Sequence, residues 1–159
     1  MLTQYNEAIE YYNRAIEINP ISSCSYVGIG VVYNVLEQYD QAIEYLNKAI
    51  KLNPNDNGVY HNLGCSYFDM GQYDKAIIFY NKALDIESDS KTYYQLGILY
   101  YNLNQQDKAL SYINKAIELE PNNPDPYYGL YEIYTRYNQP DKAEEYHKKA
   151  LELGYKGEE

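Results

Sequence analysis

The feature that most constrains this chain is its self-similarity at a period of 33–34 residues. The segment Asp40-Gln-Ala-Ile-Glu-Tyr-Leu-Asn-Lys-Ala-Ile-Lys-Leu-Asn-Pro54 returns as Asp107-Lys-Ala-Leu-Ser-Tyr-Ile-Asn-Lys-Ala-Ile-Glu-Leu-Glu-Pro121. Residues 74–88 and 141–155 follow the same pattern more loosely, and so do residues 6–20. The anchoring alanines Ala8, Ala42, Ala76, Ala109 and Ala143 are spaced 34, 34, 33 and 34 residues apart. A unit this short cannot enclose a core alone, so its apolar faces must be buried by stacking on neighbouring units.

Each unit reads as two amphipathic helices. In its second half, apolar residues recur three and four apart, as in Ala42, Leu46, Ala49 and Ile50, which is the spacing of one helix face. An Asp or Asn stands at the opening of this helix in every copy (Asn6, Asp40, Asp74, Asp107, Asp141). Such residues satisfy free N–H groups and suit the positive helix end. Pro20, Pro54 and Pro121 close it, because proline cannot continue a helix without losing a hydrogen bond. The first half carries Tyr26-x-x-Ile29-Gly30-x-x-Tyr33, Tyr60-x-x-Leu63-Gly64-x-x-Tyr67 and Tyr93-x-x-Leu96-Gly97-x-x-Tyr100. The glycine is expected to let two helices approach, with tyrosines and aliphatics filling the joint.

This pattern of an aromatic, Leu-Gly, Tyr, then Ala and Pro resembles the tetratricopeptide repeat, and the resemblance extends over almost the whole chain. It implies an all-α, right-handed superhelical solenoid of antiparallel helix pairs. Residues 1–159 then form one repeat domain of about nine helices. Residues 1–22 supply a half repeat, its second helix only, and 23–56, 57–89, 90–123 and 124–157 are full repeats. Departures fall at Ser88 and Tyr155, which replace the proline, and at Tyr131, which replaces the small glycine and predicts a different packing of the last pair. His147 stands where an aromatic normally packs and reads as a core substitution. The helix near residues 4–18 lacks its partner, so Ala8, Tyr12, Ala15 and Ile16 are expected to keep one side partly uncovered.

Composition narrows the partner class. The net charge of −10 repels phosphate backbones and anionic lipid, which argues against nucleic acid and membrane surfaces as partners. There is neither a signal-peptide pattern at the N-terminus nor an apolar run long enough to span a bilayer, which favours a cytoplasmic location. Tyrosine is used 23 times against two Phe and no Trp. Its ring can be buried while its hydroxyl reaches water, which fits a thin fold where most residues lie near a surface.

The resemblance also implies a concave groove, lined by the first helices of successive units, that holds a peptide or protein segment. The matching positions are Val27, Val31, Asn34 and Val35, then Gly58, His61, Asn62, Cys65, Phe68 and Asp69. They continue through Lys91, Tyr94, Gln95, Ile98, Tyr101 and Asn102 to Asp125, Tyr128, Glu132, Thr135 and Arg136. An apolar and aromatic stripe that packing does not demand points to an interaction surface. Asn62, Lys91, Gln95 and Asn102 are expected to set a bound peptide's register. The basic clamp by which one branch of the family holds carboxylate tails is mostly missing: Val27 and Val31 stand where Lys and Asn are needed, and only Asn62 and Lys91 match.

Nothing in the sequence points to catalysis, to a metal or to a cofactor. His61 and Cys65 lie four apart, but two ligands fall short of the four a structural zinc requires, even if Cys24 approached. Gly28 and Gly30 are not followed by a phosphate-binding Lys-Ser/Thr. The expected role is therefore a protein-binding scaffold and not an enzyme. Two alternatives are a regulatory or substrate-docking segment of a larger enzyme, and a self-assembling module whose uncovered first helix makes a homo-oligomer.

Overall fold

The computed structural model describes residues 2–157. Among the described residues it holds nine α-helices and no strand, the all-α repeat architecture read from the periodicity. The chain forms two compact units, Met1–Glu87 and Ser88–Glu159. The first contains α1 (Leu2–Ile18), α2 (Ser23–Val35), α3 (Tyr39–Leu52), α4 (Asn57–Asp69) and α5 (Tyr73–Ile86). The second contains α6 (Ser90–Asn102), α7 (Gln106–Leu119), α8 (Pro124–Arg136) and α9 (Pro140–Glu152). Both follow one packing scheme. Within the first unit α2 pairs with α3 and α4 with α5, while α4 also meets α3 and α2. In the second, α6 pairs with α7 and α8 with α9, and α8 also meets α7 and α6.

Each pair is joined by three residues in a single backbone geometry. Glu37, Gly71, Asn104 and Asn138 adopt φ of 57°, 71°, 58° and 54°. The following amide reaches back to the first helix: Gln38 N–H donates to Tyr33 O at 2.8 Å, and Gln72, Gln105 and Gln139 donate to Tyr67, Tyr100 and Tyr134 at 2.8–2.9 Å. This left-handed closure satisfies carbonyls that the helix end would otherwise leave unpaired.

The same turn alters the expected helix openings. The N-cap positions of α3, α5, α7 and α9 are Gln38, Gln72, Gln105 and Gln139, and none makes a side-chain cap bond. Asp40, Asp74, Asp107 and Asp141 lie one residue inside the first turn, and Asn6 lies well within α1. These residues are therefore not caps. The four aspartates contribute through their charge beside the positive helix end. Side-chain capping occurs instead on first helices, where Asp89 accepts from Thr92 N–H at 2.9 Å and Asn123 from Asp125 N–H at 3.1 Å.

The joint inside each pair is made by a buried glycine against a large side chain. A β-carbon on Gly30 would fall 2.7 Å from Leu46 Cγ, on Gly64 2.4 Å from Tyr80 Cδ1, and on Gly97 2.4 Å from Ile113 Cγ1. Contacts that short leave no room for a side chain. In the last pair the sizes are rearranged: Tyr131 replaces the glycine and stacks on His147 with centroids 4.6 Å apart. Beside each joint a second aromatic contact links the two helices. Tyr67–Phe79, Tyr100–Tyr112 and Tyr134–Tyr146 stack at 5.2–5.4 Å, and Tyr33–Tyr45 is tilted at 5.6 Å. Lys75, Lys108 and Lys142 place their ammonium groups 4.9–5.0 Å over Tyr67, Tyr100 and Tyr134, adding cation–π attraction to the stack.

Helix α1 packs on α2 through Tyr12, whose ring lies 2.3 Å from the point a β-carbon on Gly28 would occupy. Ala8, Tyr12, Ala15 and Ile16 are all only half-buried, as expected for a helix without its own partner. Tyr11, Ile18 and Ile21 are 69%, 86% and 76% exposed.

Two substitutions separate packing from backbone strain. Gly64→Ala forces Tyr80 to move and is expected to destabilise the chain by about 1–3 kcal/mol, lowering Tm by roughly 2–4 °C per kcal/mol. Gly71→Ala places its methyl in open space, so only the left-handed φ resists it, at about 1 kcal/mol. Urea melts that ranked Gly71→Ala as the more damaging change would contradict the packing of the α4–α5 joint.

Candidate functional site

The expected groove residues divide between the two units. In the first, they are carried by α2 and α4. Val31 and Val35 are 37% and 54% exposed, whereas Val27 is half-buried and packs on the cluster of Leu46, Ala49, Val59 and Leu63. Asn34 is committed to the α2–α4 seam. Its Nδ2 donates to Asn62 O at 3.2 Å, and its Oδ1 accepts from the buried Ser66 hydroxyl at 2.7 Å. Asn62 donates its amide to Gly58 O at 2.7 Å, a bond inside its own helix. Phe68 lies against Tyr73, with ring centroids 5.6 Å apart, and Asp69 is exposed at the end of α4.

His61, Cys65 and Tyr80 form one cluster. His61 Nε2 lies 3.6 Å from Cys65 Sγ, the Tyr80 hydroxyl donates to the same sulfur at 3.5 Å, and the His61 and Tyr80 rings are 5.8 Å apart. Burial pushes the Cys65 thiol up to about 11, against the lowering effect of the Tyr80 hydrogen bond. The Tyr80 hydroxyl is pushed far above its ordinary value, again mainly by burial. A thiol held neutral is a poor nucleophile and a poor metal ligand. Among the described residues no group of three or more His, Cys, Asp or Glu is placed to hold a metal ion.

In the second unit, α6 and α8 bring tyrosines together. Tyr101, Tyr128, Tyr131, Glu132, Thr135 and Arg136 line an open pocket of about 270 Å³. Arg136 lies across its edge, its Nη1 donating to Tyr101 O at 3.2 Å and its guanidinium carbon 4.5 Å from the Tyr101 ring centre. A second pocket, of about 390 Å³, is lined by Tyr94, Tyr128, Glu132, Tyr155 and Gly157. Tyr94 and Ile98 also form the α6–α8 seam, since a β-carbon on Gly129 would fall 2.9 Å from Tyr94 Cε2 and 3.7 Å from Ile98 Cδ1. The Tyr94 hydroxyl is raised well above its ordinary value by burial first, then by the Glu132 and Asp125 carboxylates. Lys91 and Asn102 are exposed and Gln95 is half-buried.

Besides Gly157, two aromatic pocket walls were not among the groove positions in the sequence: Tyr131 and Tyr155. Both are departures from the repeat pattern, at the glycine and the proline positions, and those departures are the signal that could have found them. Tyr155 stacks on Tyr128 at 4.1 Å and 16°. It is held there by the turn at the end of α9, where Tyr155 N–H donates to Ala150 O at 3.0 Å and Gly154 adopts φ of 94°.

Tandem antiparallel helix pairs, each with a close-packed joint and a tight left-handed turn, define an α-helical repeat protein whose first helices offer lateral surfaces. Tetratricopeptide repeat profiles match residues 2–22, 22–89 and 90–123, and the chain belongs to the tetratricopeptide repeat family, whose members serve as protein-interaction scaffolds. Among solved structures, MamA is similar at 27% identity, with 94% of this chain and 88% of that one covered and a TM-score of 0.77. TTC0263, a thermophilic TPR protein of Thermus thermophilus, shares the fold at 23% identity, 98% and 86% coverage and a TM-score of 0.85. YrrB, described as a TPR protein with an unusual peptide-binding site, shares it at 24% identity, 98% and 81% coverage and a TM-score of 0.70. A search of curated proteins gave no significant match. Among the described residues no helix is long and apolar enough to cross a membrane.

The two cysteines offer a direct check on the α4 cluster. Cys24 is exposed and is expected to react with an aromatic disulfide reagent at pH 8 at least about tenfold faster than Cys65. The folded chain keeps the Cys65 proton to about pH 11, whereas an unperturbed thiol loses it near 9.0. Its contribution to stability is therefore intact below pH 9 and falls as pH rises toward 11. Equal reaction rates for the two thiols in folded protein would show that Cys65 is not buried against Tyr80.

Proposed function

We propose that this chain is a binding scaffold that holds an extended or helical segment of another protein against the faces of its first helices. The observation that carries the reading is the pocket between α6 and α8. Three tyrosines, Tyr101, Tyr128 and Tyr131, converge on open space there, although sequestering the rings completely would have been the simpler use of so many aromatics. Tyrosine supplies large contact area at low entropic cost, with a hydroxyl for a hydrogen bond. In the first unit, Val31 and Val35 are exposed apolar side chains on α2. The peptide-binding site attributed to YrrB supports this reading by likeness of fold. Both faces are built on helices whose pairing is close-packed, so little ordering entropy would be lost by this side on association.

Polar specificity is assigned by where side chains are already committed. Asn34 and Asn62 are spent on internal bonds, so Lys91, Gln95 and Asn102 on α6 are the proposed hydrogen-bonding positions. The net charge of −10 favours a basic partner and makes the association rate fall with ionic strength.

The test is selection of peptides from a displayed library against the whole chain, followed by affinity measurements on Tyr101→Ala and Val31→Glu variants. At least one of the two substitutions is expected to weaken a selected peptide roughly tenfold or more, about 1.4 kcal/mol, with Tm lowered only a few degrees. Peptides that bind both variants as tightly as the parent chain would place the working surface elsewhere.

A further inference from the structure

We propose that the segment after α9 is an autoinhibitory occupant of the α6–α8 face. Tyr155 lies on the Tyr128 ring where an aromatic side chain of a bound segment would lie, and binding there requires Tyr155 to lift away. The inference rests on the scaffold reading above and adds how that surface is controlled. Tyr128 is common to two pockets. It lines one with Tyr101, Tyr131 and Arg136, and the other with Tyr94, Tyr155 and Gly157. A partner segment seated along α6 and α8 therefore meets the chain's own segment at Tyr128. The Tyr155 ring is stacked face to face on Tyr128, with centroids 4.1 Å apart and planes 16° from parallel, so that face is already taken.

The repeat register shows how unusual that cover is. Tyr128 is the equivalent of Tyr94, 34 residues on. Tyr94 is covered by a helix: α8 packs on α6, and a β-carbon on Gly129 would fall 2.9 Å from Tyr94 Cε2. Tyr128 is covered by a side chain from a segment that is not helical. Tyr155 stands at the position of Pro54 and Pro121, where the chain turns toward the next first helix. Its N–H donates to Ala150 O at 3.0 Å. Gly154 and Gly157 flank it at φ of 94° and 72°, and a β-carbon on either would meet nothing within 4 Å. Glycine changes φ at little steric cost, so the segment can swing about these two points without moving α8 or α9. A single stacked pair is a weak contact beside the packing of a whole helix, and a partner's aromatic ring laid on Tyr128 replaces it like for like. Because the segment is tethered, it competes at high local concentration. The apparent affinity is then the intrinsic one reduced by the fraction of chains in which Tyr155 is lifted.

The experiment selects peptides from a displayed library on the full chain and on its Tyr155→Ala variant, then measures each peptide against both by calorimetry. Peptides weakened by Tyr101→Ala, and so bound between α6 and α8, are expected to bind Tyr155→Ala about two- to tenfold more tightly than the parent, the range a single aromatic pair spans. Tyr155→Phe, which keeps the ring, should restore the weaker binding. Saturating such a peptide onto the parent chain should also move the Tyr155 ring resonances in NMR spectra from stacked positions toward those of free tyrosine, a reading that needs no substitution. Thermal melts confirm that each variant is folded. Equal affinity for the parent and a folded Tyr155→Ala chain, or Tyr155 resonances unmoved at saturation, would overturn the proposal and leave Tyr155 as a clasp on the last helix pair. Those same peptides, weakened by Tyr101→Ala, would keep the scaffold reading standing. Selection that returned only peptides indifferent to Tyr101→Ala would overturn the proposal too, and their response to Val31→Glu would then decide the scaffold reading separately.

Discussion

The constraint on which the rest of the structure depends is the size complementarity inside each helix pair. Gly30, Gly64 and Gly97 cost helix propensity, about 1 kcal/mol each relative to alanine. In exchange they admit Leu46, Tyr80 and Ile113 to distances that no side chain at the glycine position would allow. The flanking aromatics meet beside these joints, Tyr67 on Phe79 and Tyr100 on Tyr112, and Tyr134 on Tyr146 beside the joint of the last pair. The turns do not vary with it. The three-residue link and its left-handed φ at Glu37, Gly71, Asn104 and Asn138 recur in all four pairs, the last of which has Tyr131 in place of the glycine. Tyr131 against His147 shows that the joint can be built another way when both partners are flat rings.

Most of the fold was legible because the repeat supplies several independent readings of each position. One glycine in a helix is ambiguous, but Gly30, Gly64 and Gly97 in register, with a large residue sixteen positions later each time, specify a joint. The helix openings were misread for a local reason. Asp40, Asp74, Asp107 and Asp141 have the composition of caps, yet the glutamine two residues before each one closes the first helix and is itself the cap position, so the second helix starts two residues earlier than a cap at the aspartate would require. Hydrogen-bond accounting at both ends of the link, and not residue preference, decides where the helix begins.

The candidate site was legible only in part, and the reason lies in helix geometry. Position within a repeat tells which face of a first helix a residue occupies, but a face that lines a groove also borders the seam with the next first helix. Val27, Asn34, Tyr94 and Ile98 therefore serve packing as well as surface. Cys65 is similar, with its sulfur turned to Tyr80. Tyr131 and Tyr155 fall outside the groove positions because those positions are read from what the repeats share, and these two residues mark where the last repeat departs from it. Exceptions are where a family scaffold acquires its own chemistry, since residues that maintain the stack are shared by members with unrelated partners.

The same logic gives meaning to the tyrosine bias. A repeat protein needs large side chains at its joints, and leucine or phenylalanine would fill them. Tyrosine adds a polar edge and a ring face that attracts cations, both of which matter only near solvent. On one set of positions the chain satisfies those faces itself, with lysines at 75, 108 and 142 each held over the ring of a stacked pair. Between α6 and α8 other tyrosines, Tyr101, Tyr128 and Tyr131, line a pocket with Glu132 and Arg136, and there Arg136 lies over the Tyr101 ring.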